Sequence, residues 1–245
     1  MQTEALAFPA RRPSRGRWSS RATLAVLLAT AGIGLLHTSW GRPLLMRVGG
    51  CPAARVLPAE VDRLRISGFH AIQGATRAPA RPALGFLLEE TTPDDVRAWA
   101  ARARVECEAR ERGLLSLRCR RVPRDRLPDA ARAANPSGGP KEEQLVIDEL
   151  ALTFTPRGRL ISVDAFTPRL PARSAASSFG AATARLQAQL GPPADELGDS
   201  TPAALARAPL ATARARYRFD DYVAIISASN LSSGVAVREQ YLSGG

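Results

Sequence analysis

The chain has 245 residues, of which 45% are hydrophobic and 23% are charged. This mixture is typical of a folded globular region, so it excludes a chain that is disordered throughout and a polytopic membrane protein. The two histidines and three cysteines leave little material for metal sites or for histidine-based catalysis.

The net charge of +11 is almost entirely an excess of arginine, because Lys141 is the only lysine. A nucleic-acid surface would need clustered basic residues with exposed aromatic side chains between them. Aromatic residues make up only 5% of the chain, and most of them fall at alternating, strand-like positions. We therefore expect no nucleic-acid partner and ascribe the arginine content to a coding bias.

The N-terminal region predicts a membrane segment. Residues 1–21 are basic, and residues 22–40 contain no charged side chain. A helix of this length spans most of the roughly 30 Å hydrocarbon core of a bilayer, since each residue adds about 1.5 Å. The arginines before it place the N-terminus in the cytoplasm. We expect a single-pass anchor in a bacterial inner membrane, with the C-terminal region in the periplasm.

Two alternatives to this anchor remain open. The apolar segment also resembles a signal peptide that is cleaved after the small residues Ala29 and Ala31. Cys51 ends a loose match to a lipoprotein signal. This third cysteine is therefore free, lipidated or bridged to another chain.

Residues 41–85 contain scattered glycine and proline and few long apolar runs, which predicts a tether. A first folded unit over residues 86–172 then begins. Its capping sequence at residues 92–95 (Thr-Pro-Asp-Asp) predicts a helix over 92–106. Gly113 breaks the chain after this helix. A linker is predicted over 123–143, and strands are predicted at 114–122, 145–154 and 159–166.

A second unit over residues 173–245 repeats this order. A helix is predicted over 174–190, where Phe179 and Leu186 share one face. A linker over 194–210 follows, and alternating residues predict strands at 213–219, 222–228 and 235–242. The predicted fold class is therefore α+β: an N-terminal transmembrane helix or signal anchor, then two αβββ units whose antiparallel sheet packs on helices.

Cys107 and Cys119 are predicted to form a disulfide. Cys107 shares a helix face with Val96 and Trp99, and Cys119 alternates with Leu117 in the next strand, so both thiols point into one core. An exported region lies in an oxidising compartment, where such a pair is oxidised. Two free buried thiols are the alternative.

Three features together resemble a known fold: the helix start at residues 91–96 (Thr-Thr-Pro-Asp-Asp-Val), the helix end at 190–192 (Leu-Gly-Pro) and a three-strand meander after each helix. This fold is shared by the outer-membrane assembly lipoprotein BamE and the tandem β-lactamase-inhibitory proteins. The likeness covers about residues 86–243 and lies in topology and short motifs. The resemblance implies a noncatalytic exported module that presents a sheet or loops to another protein. It also implies inhibition of a secreted enzyme, a function that no other feature of the sequence indicates.

No motif for catalysis or metal binding stands out. The chain has three adjacent acidic pairs, at residues 89–90, 94–95 and 220–221. Adjacent side chains point apart on helices and strands, and capping or turn formation explains two of the pairs. His37 and His70 have no neighbouring cysteine or histidine at metal-ligand spacing. Because nucleophile motifs and phosphate-binding loops are also missing from the sequence, we expect no metal, no cofactor and no catalytic residue.

The candidate binding residues are four arginines. Ala215, Tyr217 and Phe219 alternate with arginines, so one strand face is apolar and the other is basic. Like charges aligned across a sheet gain nothing for the fold, so we predict a solvent-facing stripe that contributes to binding instead of folding. An ordinary solvated face is the alternative. The stripe consists of Arg214, Arg216, Arg218 and Arg238.

Two function classes remain. The first is an envelope-anchored interaction module that binds an acidic envelope protein or an anionic lipid surface through the arginine stripe. The second is an exported enzyme whose site is built from the linkers 123–143 and 194–210. Arginines without a convergent acid, base or nucleophile favour the first class.

Overall fold

The computed structural model describes residues 58–128 and 146–244. The predicted membrane segment, Cys51 and most of the linker 123–143 lie outside these residues. Within the described ranges, no helix has the length and apolar character that crossing a membrane requires. The helices and strands are α1 (Pro58–Ile72), β1 (Pro82–Ala83), β2 (Phe86–Leu87), α2 (Pro93–Ala103), β3 (Cys107–Arg112), β4 (Leu114–Pro123), a 3-10 turn (Arg124–Arg126), β5 (Val146–Phe154), β6 (Leu160–Leu170), α3 (Ala172–Leu190), β7 (Asp195–Leu197), α4 (Pro202–Arg207), β8 (Thr212–Arg218), β9 (Tyr222–Leu231) and β10 (Gly234–Ser243).

Strands β3 to β10 form one antiparallel sheet in the order β3-β4-β5-β6-β10-β9-β8-β7. The prediction of an α+β fold with an antiparallel sheet is confirmed. The order is mirrored about the central β6–β10 pair, so the last strands of the two halves are neighbours. Four sheet strands follow each of α2 and α3 in the chain, instead of the predicted three.

The two additional strands, β3 and β7, lie at the edges of the sheet. The sequence of β3, Cys-Glu-Ala-Arg-Glu-Arg, is too charged to show an apolar alternation, and the helix predicted to reach residue 106 ends at Ala103. Strand β7 has only three residues. Edge strands are commonly short and charged, which protects a sheet against further pairing and also hides these strands from pattern analysis.

Helix α2 begins at the predicted capping box. The hydroxyl of Thr92 accepts a hydrogen bond from the backbone N–H of Asp95, and the Asp95 carboxylate accepts one from the backbone N–H of Thr92 at 2.9 Å. The helix ends at Arg104, whose φ of 53° lies in the left-handed region. Its backbone N–H donates to the carbonyl of Ala100 and closes the last turn.

One face of the sheet packs against α2 and α3 and forms a single continuous core across both halves. The strand side chains at its centre are excluded from solvent because inward and outward residues alternate along each strand. The core includes Val96, Leu117, Leu150, Leu152, Val163, Phe179, Leu186 and Ile226.

Helix α1 and the β1–β2 hairpin occupy most of the described part of the predicted tether. Gly113, in the β3–β4 turn with φ 81°, lies so close to α1 that an added β-carbon would be 2.4 Å from Val61. At the other end of α1, the carbonyl of Ile72 accepts a hydrogen bond from Arg218 Nε at 2.8 Å. These contacts join residues far apart in the chain, so local composition did not predict them.

The predicted disulfide between Cys107 and Cys119 is confirmed. The two residues are directly paired across β3 and β4, and their Cα atoms are 4.0 Å apart. Cys107 lies in a strand and not on the predicted helix face. The bond therefore ties the edge strand β3 to β4, its neighbour in the sheet.

Candidate binding face

The sheet face opposite the core carries mostly polar and charged side chains and forms the polar sheet face. Directly paired residues lie on the same face, so the strand register defines two adjacent rows across it. The first row takes one residue from each strand: Asp195, Arg216, Ile225, Gln240, Asp164, Ala151, Arg118 and Glu108. The second row is Leu197, Arg214, Ser227, Arg238, Phe166, Glu149 and Arg120.

Ion pairs connect neighbouring strands of the polar sheet face. Arg238 donates from Nε to Asp164 Oδ1 at 2.9 Å and from Nη2 to Oδ2 at 2.5 Å. This bidentate hydrogen bonding to Asp164 raises the pKa of Arg238. Arg216 donates from Nη2 to Asp195 Oδ1 at 3.0 Å. The face is therefore a pattern of paired charges and not a single-sign field.

These pairs remain accessible. The side chains of Arg118 and Glu149, whose charged atoms are 3.1 Å apart, each keep 42% of their exposure, and Arg238 keeps 46%. An exposed ion pair typically stabilises a fold by about 0 to 1 kcal/mol. The pairs therefore contribute little to folding and leave charged groups available to a partner.

The structure places the four predicted binding arginines on the polar sheet face. Arg216 and Arg238 form the ion pairs above, and Arg218 donates to the carbonyl oxygens of Ile72 and Gln73 at 2.8 and 3.1 Å. Each of these three arginines thus has an acceptor, and these acceptors come from parts of the chain that are distant in sequence. Whether the four arginines bind a partner stays a prediction.

Arg214 differs from the other three arginines. It pairs across the strands with Ser227 and Leu197, neither of which carries a charge. Its Nε is buried and has no hydrogen-bond partner among the described residues. Buried donors are normally satisfied, so Arg214 is the one of the four with a buried donor that no described residue satisfies.

Sequence analysis missed a buried ionic centre on the core face of β10. Glu239 is fully excluded from solvent. Its carboxylate accepts hydrogen bonds from Arg124 in the 3-10 turn, from Arg185 Nη2 of α3 at 2.6 Å and from Tyr241 Oη at 2.6 Å. Arg185 also donates to Tyr241 Oη at 2.9 Å. The centre therefore links the end of β4 to α3 and β10.

The electrostatics of this centre favour the charged forms. Burial alone would raise the pKa of Glu239, but the charges of Arg124 and Arg185 outweigh burial and lower that pKa to about 2. Burial, followed by the charge of Glu239, raises the pKa of Tyr241. Glu239 is thus an ionised carboxylate with every neighbour positioned to hold it, which is the arrangement of a structural group and not of a proton-transfer group.

A cavity of about 750 Å³ lies beside α2 and is lined in part by Trp99, Asp95 and Asp125. Hydrogen bonds from Thr92 lower the pKa of Asp95, which is committed to capping the helix. Among the described lining residues there is no serine, cysteine or histidine that could act with these carboxylates. The described residues that line this cavity therefore do not combine a nucleophile with an acid or base, as a catalytic site would require.

The described ranges contain no group of three or more histidine, cysteine or acidic side chains placed to hold a metal ion. Comparisons with models of known protein families, with curated proteins and with solved structures find no match for this chain.

Proposed function

We propose that this chain is a noncatalytic binding module, anchored in a bacterial envelope, that binds the acidic surface of another envelope protein through its polar sheet face. The observation that carries the proposal is the pair of rows that places charged side chains on every strand of the sheet except β9, with accessible ion pairs between neighbouring strands. Complementary charge steers association and selects partners.

The composition of the face supports a protein partner. Arginines outnumber acidic residues in its two rows, and Phe166 and Ile225 lie partly exposed near the centre, among the charged side chains. Arginine and aromatic residues are enriched in protein interfaces, where a less polar centre is surrounded by a polar rim.

The mirrored strand order supports the finer fold proposal. We infer that the two halves of the sheet derive from duplication of one unit, a helix followed by sheet strands, in agreement with the repeat proposed from the sequence. The resemblance to BamE and to the tandem β-lactamase-inhibitory proteins points to the same architecture. Joining two such units into one sheet gives the module twice the binding surface of a single unit.

Charge reversal on the face tests the proposal. Proteins crosslinked to the full-length chain in intact envelopes are compared for the wild type, the variant Arg118→Glu/Arg238→Glu, and the control Arg173→Glu/Arg207→Glu, whose exposed arginines lie on helices. We expect a partner that is lost only in the sheet-face variant. Retention of every crosslinked protein in that variant, or loss of lipid adducts alone, would contradict a protein partner.

A further inference from the structure

A second cavity, about 630 Å³ in volume, lies where the ends of β4 and β6 meet the start of β5. We term it the basic cleft. Two acidic residues, Glu106 and Asp148, contribute to its wall. Five arginines line it as well: Arg104, Arg120, Arg121, Arg126 and Arg169.

Three elements bring these arginines together. Arg104 follows the last residue of α2, Arg126 ends the 3-10 turn, and Arg120 is fixed by its backbone N–H, which donates to the carbonyl of Glu106 at 3.2 Å. The Cys107–Cys119 bond lies next to both Glu106 and Arg120. The cleft is therefore built on a covalently tied pair of strands and a capped helix.

The charges in the cleft are only partly compensated. Arg169 forms an ion pair with Asp148 at 3.3 Å, and Arg126 donates to the carbonyl of Ala103 at 3.0 Å. The remaining three arginines form no ion pair or side-chain hydrogen bond with any described residue. They are Arg104, Arg120 and Arg121. Five arginines against two acidic residues leave an excess of positive charge in the cleft, which attracts an anion.

The backbone gives an independent reason to assign a role to these side chains. Arg104, Arg121 and Arg169 have φ values of 53°, 50° and 61°, in the left-handed region. Residues with a β-carbon are disfavoured there and glycine is not. Backbone conformation alone would therefore select glycine at three positions that all line one cleft. The presence of arginine at each of them is explained if the guanidinium groups are used.

We propose that the basic cleft binds a phosphate group, carried by a small solute or by a lipid headgroup, between Arg104, Arg120 and Arg121. Guanidinium groups donate in a planar fork that matches two phosphate oxygens, and such charge-assisted hydrogen bonds are stronger than neutral ones. A phosphate monoester supplies up to two negative charges for three arginines that form no ion pair with a described residue. The cleft is large enough to admit the organic group attached to the phosphate. Arg120 also belongs to the second row of the polar sheet face, but the site requires no partner of that face.

Titration calorimetry on the full-length protein in neutral detergent tests the proposal with two probes, pyrophosphate and a short-chain phosphatidylglycerol below its micelle concentration. We expect saturable binding of at least one probe that weakens at least about tenfold in Arg120→Gln/Arg121→Gln. The control Arg173→Gln/Arg207→Gln removes the same charge outside the cleft and should leave the affinity unchanged. Stronger binding of pyrophosphate assigns a soluble phosphate, and stronger binding of the lipid assigns a headgroup.

A second variant separates binding from folding. Arg104→Gly removes a proposed ligand and relieves the left-handed backbone at the end of α2, so its melting temperature should equal or exceed that of the wild type while phosphate binding weakens about tenfold. Absence of saturable binding of both probes to the wild type would overturn the proposal. Equal weakening in the cleft variant and the control would also overturn it, because the effect would then follow net charge and not the site.

Discussion

Arg185 of α3 donates a hydrogen bond of 2.6 Å to the carboxylate of Glu239, which lies in the core and has no solvent exposure. Helix α3 is thus held on the sheet by a buried charged contact as well as by its apolar face. Arg124, which follows β4 in the other half of the sheet, is the second arginine that donates to this carboxylate. The ionic centre therefore constrains how the two halves meet.

Removal of the buried carboxylate should destabilise the fold strongly. Glu239→Gln keeps the shape of the side chain but leaves Arg124 and Arg185 without their counter-charge, and breaking a buried ion pair in this way costs about 3 to 5 kcal/mol. Urea unfolding of the full-length protein measures the loss. The control Asp148→Asn breaks the exposed pair with Arg169 and should cost no more than about 1 kcal/mol.

The same carboxylate predicts a pH dependence of stability. The pKa of Glu239 is about 2 in the folded protein, below its ordinary 4.5, so its contribution is fully present above about pH 4.5 and is lost as the pH falls through about 2. The wild type should therefore lose about 3 kcal/mol more than Glu239→Gln over this interval. Unfolding free energies of both proteins across it check the prediction. Parallel pH profiles would contradict it.

The disulfide should stabilise the edge of the sheet. Cys107 and Cys119 close a loop with a sequence separation of 12, for which the chain-entropy treatment gives about 3 kcal/mol. We expect Cys107→Ser/Cys119→Ser to lower the free energy of unfolding by that amount, with increased amide exchange in β3. Cys51→Ser provides the matched control. Equal stability of all three proteins would show that β3 is held by its backbone pairing alone.

Arg218 should act in folding. Its guanidinium donates to two carbonyls at the end of α1, so Arg218→Gln should lower the free energy of unfolding by about 2 kcal/mol and increase amide exchange across Pro58–Ile72. Arg238→Gln, which loses an exposed pair, serves as the comparison and should change stability by less than about 1 kcal/mol. Unchanged exchange in α1 would contradict this role.

Local patterns predicted the parts of the fold that local physics determines. The capping box at Thr92, the apolar face of α3 and the alternation in β8 follow from residues within one turn or one strand, and each was predicted from sequence. Strand β3 was not predicted because its charged sequence shows no apolar alternation, although its partner β4 is the next strand in the chain. Strand β7 and the packing of α1 were not predicted because their partners are distant in sequence.

For the candidate site, too, local patterns predicted some features, and others depended on residues distant in the chain. Alternation assigned Arg216 and Arg238 to one face, but their acidic partners lie 21 and 74 residues away in the chain, so pairing needed the strand register. One signal in β10 was available and not used. The alternation that turns Arg238 outward also turns Glu239 inward, beside the apolar Val237, and a carboxylate at such a position requires buried partners.

The central claim is that the polar sheet face, and not the side covered by α2 and α3, contacts a partner. The most direct measurement places a photo-crosslinking residue at Gln240 or Ser227 on that face, or at the exposed Gln189 of α3, in the full-length protein in its native envelope. The account predicts the same protein adduct from both sheet positions and none from Gln189. Adducts from Gln189 alone, or equal yields from all three positions, would contradict it.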